Sequence, residues 1–193
     1  MDPQMLKKFF ALLLGLLLVP LCHANSENMF YMDAATFTVG YWGDSTNRHG
    51  LRVAGRWDWD VVWLKKSPIQ LTGYWEGGFG YWRANTRDTT ENSHLIITSA
   101  SPILQIWLGP VDLTQNRFFF ELGIGPSYFS SNELGAKEFG GLWHFEDKFG
   151  AGFNFGTEHP SQVIFRYYHY SNLGVIGPNE GLDLFTLGVV WFF

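Results

Sequence analysis

The chain has 193 residues and a formal net charge of −5; aromatic residues make up 18% of it and charged residues only 16%. A soluble domain carries roughly a quarter charged residues, and a small soluble core cannot hide this much aromatic surface. The acidic balance excludes a nucleic-acid surface built on bulk positive charge, and the single cysteine, Cys22, excludes a disulfide framework.

In chain order, the first element reads as a secretory leader. Lys7 and Lys8 form a positive start, Phe9 to Val19 an apolar run, and Cys22-His23-Ala24 a small-x-small cleavage site. The run is shorter than the ~18–20 residues that a spanning helix needs. A signal peptide is therefore expected over residues 1–24, and the mature domain over residues 25–193. The leader takes Lys7, Lys8, Asp2 and Cys22 with it, so the mature chain is more acidic and has no thiol. No later stretch has the length and apolarity of a transmembrane helix.

Beyond the leader the pattern is two-residue alternation, the period of a β-strand. Residues 30–42 set Ala35, Phe37, Val39 and Tyr41 against Thr36, Thr38 and Gly40. Turn residues fill 43–50. Residues 51–59 set Leu51, Val53, Trp57 and Trp59 against Arg52, Ala54, Arg56 and Asp58; a short connection at 65–68 follows. Residues 69–82 set Leu71, Trp75, Phe79 and Tyr81 against Gln70, Thr72, Glu76, Gly78 and Gly80. A polar loop spans 83–93. Residues 94–108 form a weaker strand in which Ser101-Pro102 predicts a bulge or bend. After a turn at 109–116, residues 117–130 form another strand, followed by a Gly-rich loop at 131–143. Residues 144–156 alternate best, with Phe145, Phe149, Ala151, Phe153 and Phe155 on one face, broken by Asp147. The closing hairpin runs from 162 to 193 around a loop at 173–181.

These elements make eight strands of about ten residues, the length that crosses a bilayer when tilted. A secreted β-sandwich would bury its aromatic face and expose charge. Here the polar face is small and Gly-rich, and its charges, of both signs, are able to pair: Arg56, Glu76, Glu121, Glu146, Lys148 and Arg166. Such residues suit the packed interior of a narrow barrel with aromatics facing lipid. The expected fold class is all-β, an eight-stranded antiparallel transmembrane β-barrel. The ending Thr186-x-Gly188-x-x-Trp191-x-Phe193 resembles the terminal strand of outer-membrane barrels.

The closing hairpin also carries chemistry. One face of its first strand bears Val163, Phe165, Tyr167, His169 and Ser171; one face of its second bears Asp183, Phe185, Leu187, Val189, Trp191 and Phe193. Two apolar ladders thus end beside one loop in an imidazole, a hydroxyl and a carboxylate. Charge facing hydrocarbon costs a few kcal/mol away from the interface, so this grouping needs a reason.

The segment His169-Tyr170-Ser171-Asn172-Leu173-Gly174, followed by Pro178-Asn179-Glu180-Gly181-Leu182-Asp183, resembles the PagL family of lipid A 3-O-deacylases, eight-stranded outer-membrane barrels with a His-x-Ser-Asn signature. The strong likeness covers the closing hairpin; a weaker one, including Trp57-Asp58-Trp59, covers the mature chain. The resemblance implies Ser171 as nucleophile, His169 as general base and Asp183 as the acid that orients His169. It points to the Asn172 side chain and the Gly174 backbone N–H as oxyanion donors. Family members carry Glu where this sequence has Asp183, one methylene shorter, which leaves Glu180 as the alternative acid. Asn172 belongs to the opposite face if the strand stays regular, so its oxyanion role requires the strand to end there; otherwise it is a turn-forming residue.

The resemblance implies a serine-type ester hydrolase in the outer membrane that acts on lipid A of lipopolysaccharide in the outer leaflet. No cofactor and no nucleic acid are implied. The alternatives are an outer-membrane phospholipase, which would bring calcium and a homodimer, and a non-enzymatic barrel serving adhesion or envelope integrity. His94, His144 and His159 lack paired-ligand spacing, so no metal site is expected; Glu146-Asp147 reads as packing and rim charge. The segments Gly77-Gly78-Phe79-Gly80 and Gly123-Ile124-Gly125 lack the strand–turn–helix context of a phosphate loop.

Overall fold

A computed structural model describes residues 31–42, 48–85, 92–156 and 159–193. The expected leader over 1–24, most of the loops at 43–50 and 83–93, and Glu158 lie outside these residues.

The strands follow in order: β1 (Ala34–Trp42), β2 (Arg48–Asp58), β3 (Ile69–Ala84), β4 (His94–Leu108), β5 (Arg117–Phe129), β6 (Glu133–Leu134), β7 (Lys137–Glu138), β8 (Trp143–Phe155), β9 (Ser161–Ser171) and β10 (Leu182–Phe192). Eight of them close an antiparallel barrel in the order β1-β10-β9-β8-β5-β4-β3-β2. Pairing of Ala34 with Phe192 through Tyr41 with Phe185 seals first strand to last. Closure removes both sheet edges, so every strand in the barrel has a partner on each side. The eight-stranded all-β barrel expected from alternation is the observed architecture.

Parity decides which residues face inward. On β9 Ile164, Arg166, Tyr168 and Tyr170 are buried, while Phe165 between them is 51% exposed. The same division leaves Phe37, Val39, Leu51, Val53, Phe79, Phe120 and Leu187 outside, and Thr36, Thr38, Arg52 and Glu76 inside. The outside is thus a band of aliphatic and aromatic side chains, the surface of a membrane-spanning barrel.

Ion pairs fill the interior. Glu76 binds Arg52 Nη1 (2.9 Å), Lys148 Nζ (2.8 Å) and Arg166 Nη1 (2.9 Å). Arg166 Nε also donates to Glu121 (2.9 Å), and Lys148 reaches Glu146 (2.8 Å). Tyr74, Gln105 and Tyr170 donate to the remaining carboxylate oxygens at 2.7–2.8 Å. Burying these charges is tolerable because each carboxylate meets several donors. Gly78 makes room for the network: a Cβ there would come within 1.9 Å of the Arg52 guanidinium.

Three local differences from the sequence expectation have physical causes. β2 begins at Arg48, inside the expected loop, because Arg48 and His49 continue the pairing with Trp42 and Tyr41. The Ser101-Pro102 site carries no bulge. The β4–β5 register is the same on both sides of the gap between Ser99↔Ser127 and Ile103↔Gly123, so no residue is inserted. The ladder merely opens there, where Pro102 and Pro126 both lack an N–H to give. Finally, the Gly-rich loop at 131–143 contains the β6–β7 hairpin.

Candidate active site

β9 and β10 pair in a register that sets His169 directly opposite Asp183. Both positions have outward parity, so imidazole and carboxylate meet on the barrel's outer wall. His169 Nδ1 lies 2.7 Å from Asp183 Oδ1, with the two side chains 36% and 30% exposed. An ionised carboxylate only accepts, so Nδ1 carries the proton and Nε2 is left as the basic nitrogen. Ser171 ends β9, two residues beyond His169 on the same face, and is half-buried. Among the described residues no hydrogen bond joins its hydroxyl to His169.

Two neighbours were not legible as site residues in the sequence. Tyr167 donates its hydroxyl to the same Asp183 Oδ1 at 2.6 Å. Asp147 sits directly opposite His169 on the other side, across the β8–β9 ladder. His169 therefore lies between carboxylates on β8 and β10. The sequence showed Asp147 only as a break in an apolar face; recognising its place needs the strand register.

Asn172 lies just past the strand, and its side chain turns inward, 5% exposed. Its Nδ2 donates to Ile176 O (2.6 Å) and Phe139 O (3.1 Å), while its Oδ1 accepts from Gly174 N (2.9 Å). Both expected oxyanion donors are thus engaged within the loop, which is the turn-forming alternative for Asn172. Leu173 and Gly174 have φ of 57° and 74°, and Val175 N donates back to Asn172 O at 3.1 Å. Two successive positive φ values closed by that bond make a tight turn of the type I′ kind.

Glu180, the alternative acid, lies exposed in the loop, with Oε2 accepting from Glu138 N at 3.4 Å. It is Asp183 that His169 touches. Glu180 N donates to Glu138 O (3.3 Å) and Lys137 Nζ donates to Gly181 O (3.0 Å), so the β6–β7 hairpin ties down the loop that follows Ser171. Gly181 has a φ of 65°, and a Cβ there would lie 3.4 Å from His169 Cε1.

Beside the polar groups the wall is apolar. Phe165, Phe185 and Leu187 join Val39 and Tyr41 of β1 around an open groove of about 630 Å³. Phe165 and Phe185 stack with centroids 5.6 Å apart, and Tyr167 lies 5.2 Å from Phe185. A hydroxyl, a base and an acid further along the same two strands as such a groove suit hydrolysis of an ester that carries a long hydrocarbon chain.

The chain is similar to known proteins over most of its length. Residues 48–192 match the family model for lipid A 3-O-deacylase (PagL). The lipid A deacylase PagL of Pseudomonas aeruginosa is 33% identical over 165 residues, covering 86% of this chain and 87% of the relative. That of Bordetella bronchiseptica is 31% identical over 152 residues, covering 75% and 78%. A crystal structure of the outer membrane enzyme PagL superposes with a TM-score of 0.70 at 30% identity, over 83% of this chain and 99% of that one. The chain belongs to the lipid A 3-O-deacylase (PagL) family.

Proposed function

We propose that this protein hydrolyses the ester-linked 3-hydroxyacyl chain at the 3-position of lipid A, working from the outer leaflet of the outer membrane. The observation that carries the reading is the 2.7 Å contact between His169 and Asp183 on an outward, apolar wall, with Ser171 beside it. Residues 1–24 act as the export leader. The barrel end with the loop after Ser171 faces the cell exterior, and the groove takes an acyl chain.

In this mechanism Ser171 Oγ attacks the ester carbonyl as His169 Nε2 takes its proton. The hydroxyl closes on Nε2 when substrate is seated, as catalytic hydrogen bonds commonly do. Asp183 holds the tautomer and stabilises the imidazolium. The imidazolium then protonates the departing sugar oxygen, leaving an acyl group on Ser171. Water, deprotonated by the same imidazole, attacks this ester and releases a 3-hydroxy fatty acid. The oxyanion draws on the Gly174 N–H, which exchanges Asn172 Oδ1 for the substrate oxygen. Base, nucleophile and donors all come from the chain.

The test is the mass of lipid A from Gram-negative cells with and without this protein. Loss of one 3-hydroxyacyl chain from lipid A supports the reading. An unchanged lipid A profile, or fatty acid released from glycerophospholipid instead, overturns it.

A further inference from the structure

Asp183 Oδ1 accepts two hydrogen bonds, from His169 Nδ1 at 2.7 Å and from Tyr167 OH at 2.6 Å. We propose that Tyr167 is a positioning residue for the reaction: its hydroxyl holds the Asp183 carboxylate in the orientation that His169 uses. The inference rests on the deacylase reading above and adds a fourth side chain to it.

Three observations carry it. First, an aspartate carboxylate turns freely about its terminal bond unless something fixes it, and rotation there breaks a single-oxygen contact to an imidazole. Asp183 is 30% exposed on the barrel wall, so packing alone does not hold it. Second, Tyr167 is placed to hold it. It pairs directly with Phe185, two residues along β10 from Asp183, and sits two residues before His169 on β9. From that diagonal position a long side chain reaches across the ladder. Its ring is itself held between Phe185 at 5.2 Å and Phe149 at 6.4 Å. Third, a tyrosine on the outer wall of a barrel ordinarily turns its hydroxyl to water or headgroups. This one spends it on the carboxylate instead, with the short geometry of a charge-assisted bond.

The experiment uses the full-length detergent-solubilised barrel, lipid A in mixed micelles, and a fluorophosphonate that labels an activated serine without any lipid. Ser171→Ala is the blank for both assays. Tyr167→Phe keeps the ring and removes only the hydroxyl. It should lower kcat about tenfold, the order expected for one hydrogen bond to a charged group, and slow labelling by a similar factor. KM should stay within about twofold, because the hydroxyl does not bind substrate. In an Asp183→Asn background Tyr167→Phe should change neither rate further, since there is then no carboxylate to hold. Asp183→Glu, which reaches further, should restore part of the rate to Tyr167→Phe.

Wild-type rates in Tyr167→Phe would overturn the proposal. So would an equal fractional loss in the Asp183→Asn background, which marks a merely structural ring. If the wild-type chain leaves lipid A intact but its serine is labelled, with the variants ordered as above, the deacylase reading fails and the positioning role stands. A serine that neither turns over nor labels sinks both.

Discussion

Tyr170 donates its hydroxyl to Glu146 at 2.7 Å inside the barrel, while its chain neighbours His169 and Ser171 point outward on the other side of the same strand. β9 is thus anchored from within by a charged network and carries the proposed catalytic groups on its outer face. Glu146→Ala should remove an acceptor from Tyr170, Lys148 and Arg52 together. Arg52 and Lys148 keep Glu76, so the expected loss is about 1–3 kcal/mol, the range for leaving a buried donor, here the Tyr170 hydroxyl, unsatisfied. It is read as a lower denaturant midpoint for the heat-modifiable gel shift; a midpoint unchanged from wild type contradicts the anchoring role.

Ser171→Ala and His169→Asn should each leave the folded gel mobility intact and reduce deacylation by at least about 10⁴-fold. The check is lipid A mass spectrometry alongside the folding assay. Near-wild-type hydrolysis by either variant removes the mechanism.

The acid can be assigned by comparing two carboxylates. Asp183→Ala should lower kcat on the order of 10⁴-fold, as loss of a triad acid does elsewhere. Glu180→Ala removes only a loop contact to Glu138 N and should keep kcat within about threefold. The opposite ranking of the two rates would move the acid to the loop.

Gly181→Ala presses on the site in two ways. Its φ of 65° disfavours a side chain, and the new Cβ would crowd Tyr170 O at 3.3 Å and come into contact with His169 Cε1 at 3.4 Å. We expect about 1–3 kcal/mol of destabilisation, together with a fall in kcat larger than that in Gly174→Ala. At Gly174 the φ is also positive, but a Cβ meets nothing within 4 Å. Equal kcat values for the two variants would show that the His169 contact is immaterial.

Much of this arrangement was readable before any coordinates. Strand parity puts His169 and Ser171 on one face of β9, because i and i+2 share a face, and puts Asp183 on the apolar face of β10 with Phe185 and Leu187. It also put Glu76, Glu121 and Lys148 inside, since alternation with Trp75, Phe149 and the other aromatics allowed no other face. Relations across strands were not readable. Asp147 looked like a flaw in an aromatic ladder until the β8–β9 register set it beside His169. Tyr167 looked like wall, because nothing local tells a tyrosine which acceptor its hydroxyl finds. Asn172 was expected to offer its amide to an oxyanion, and the loop takes that amide for Phe139 O and Ile176 O. The β6–β7 hairpin was invisible for a simpler reason: two-residue strands have no period.

The ion pairs that fill the lumen bear on how reactants would arrive in the proposed reaction. Among the described residues, Arg52, Lys148 and Arg166 lock around Glu76 across the lumen, on the far side of the wall from Ser171. On the proposed mechanism, lipid drifts in sideways within its own monolayer, and water descends from the headgroup zone. In that setting turnover tracks the surface density of substrate molecules rather than their bulk concentration, so diluting lipid A with inert lipid slows the protein even when the total amount in the tube is unchanged.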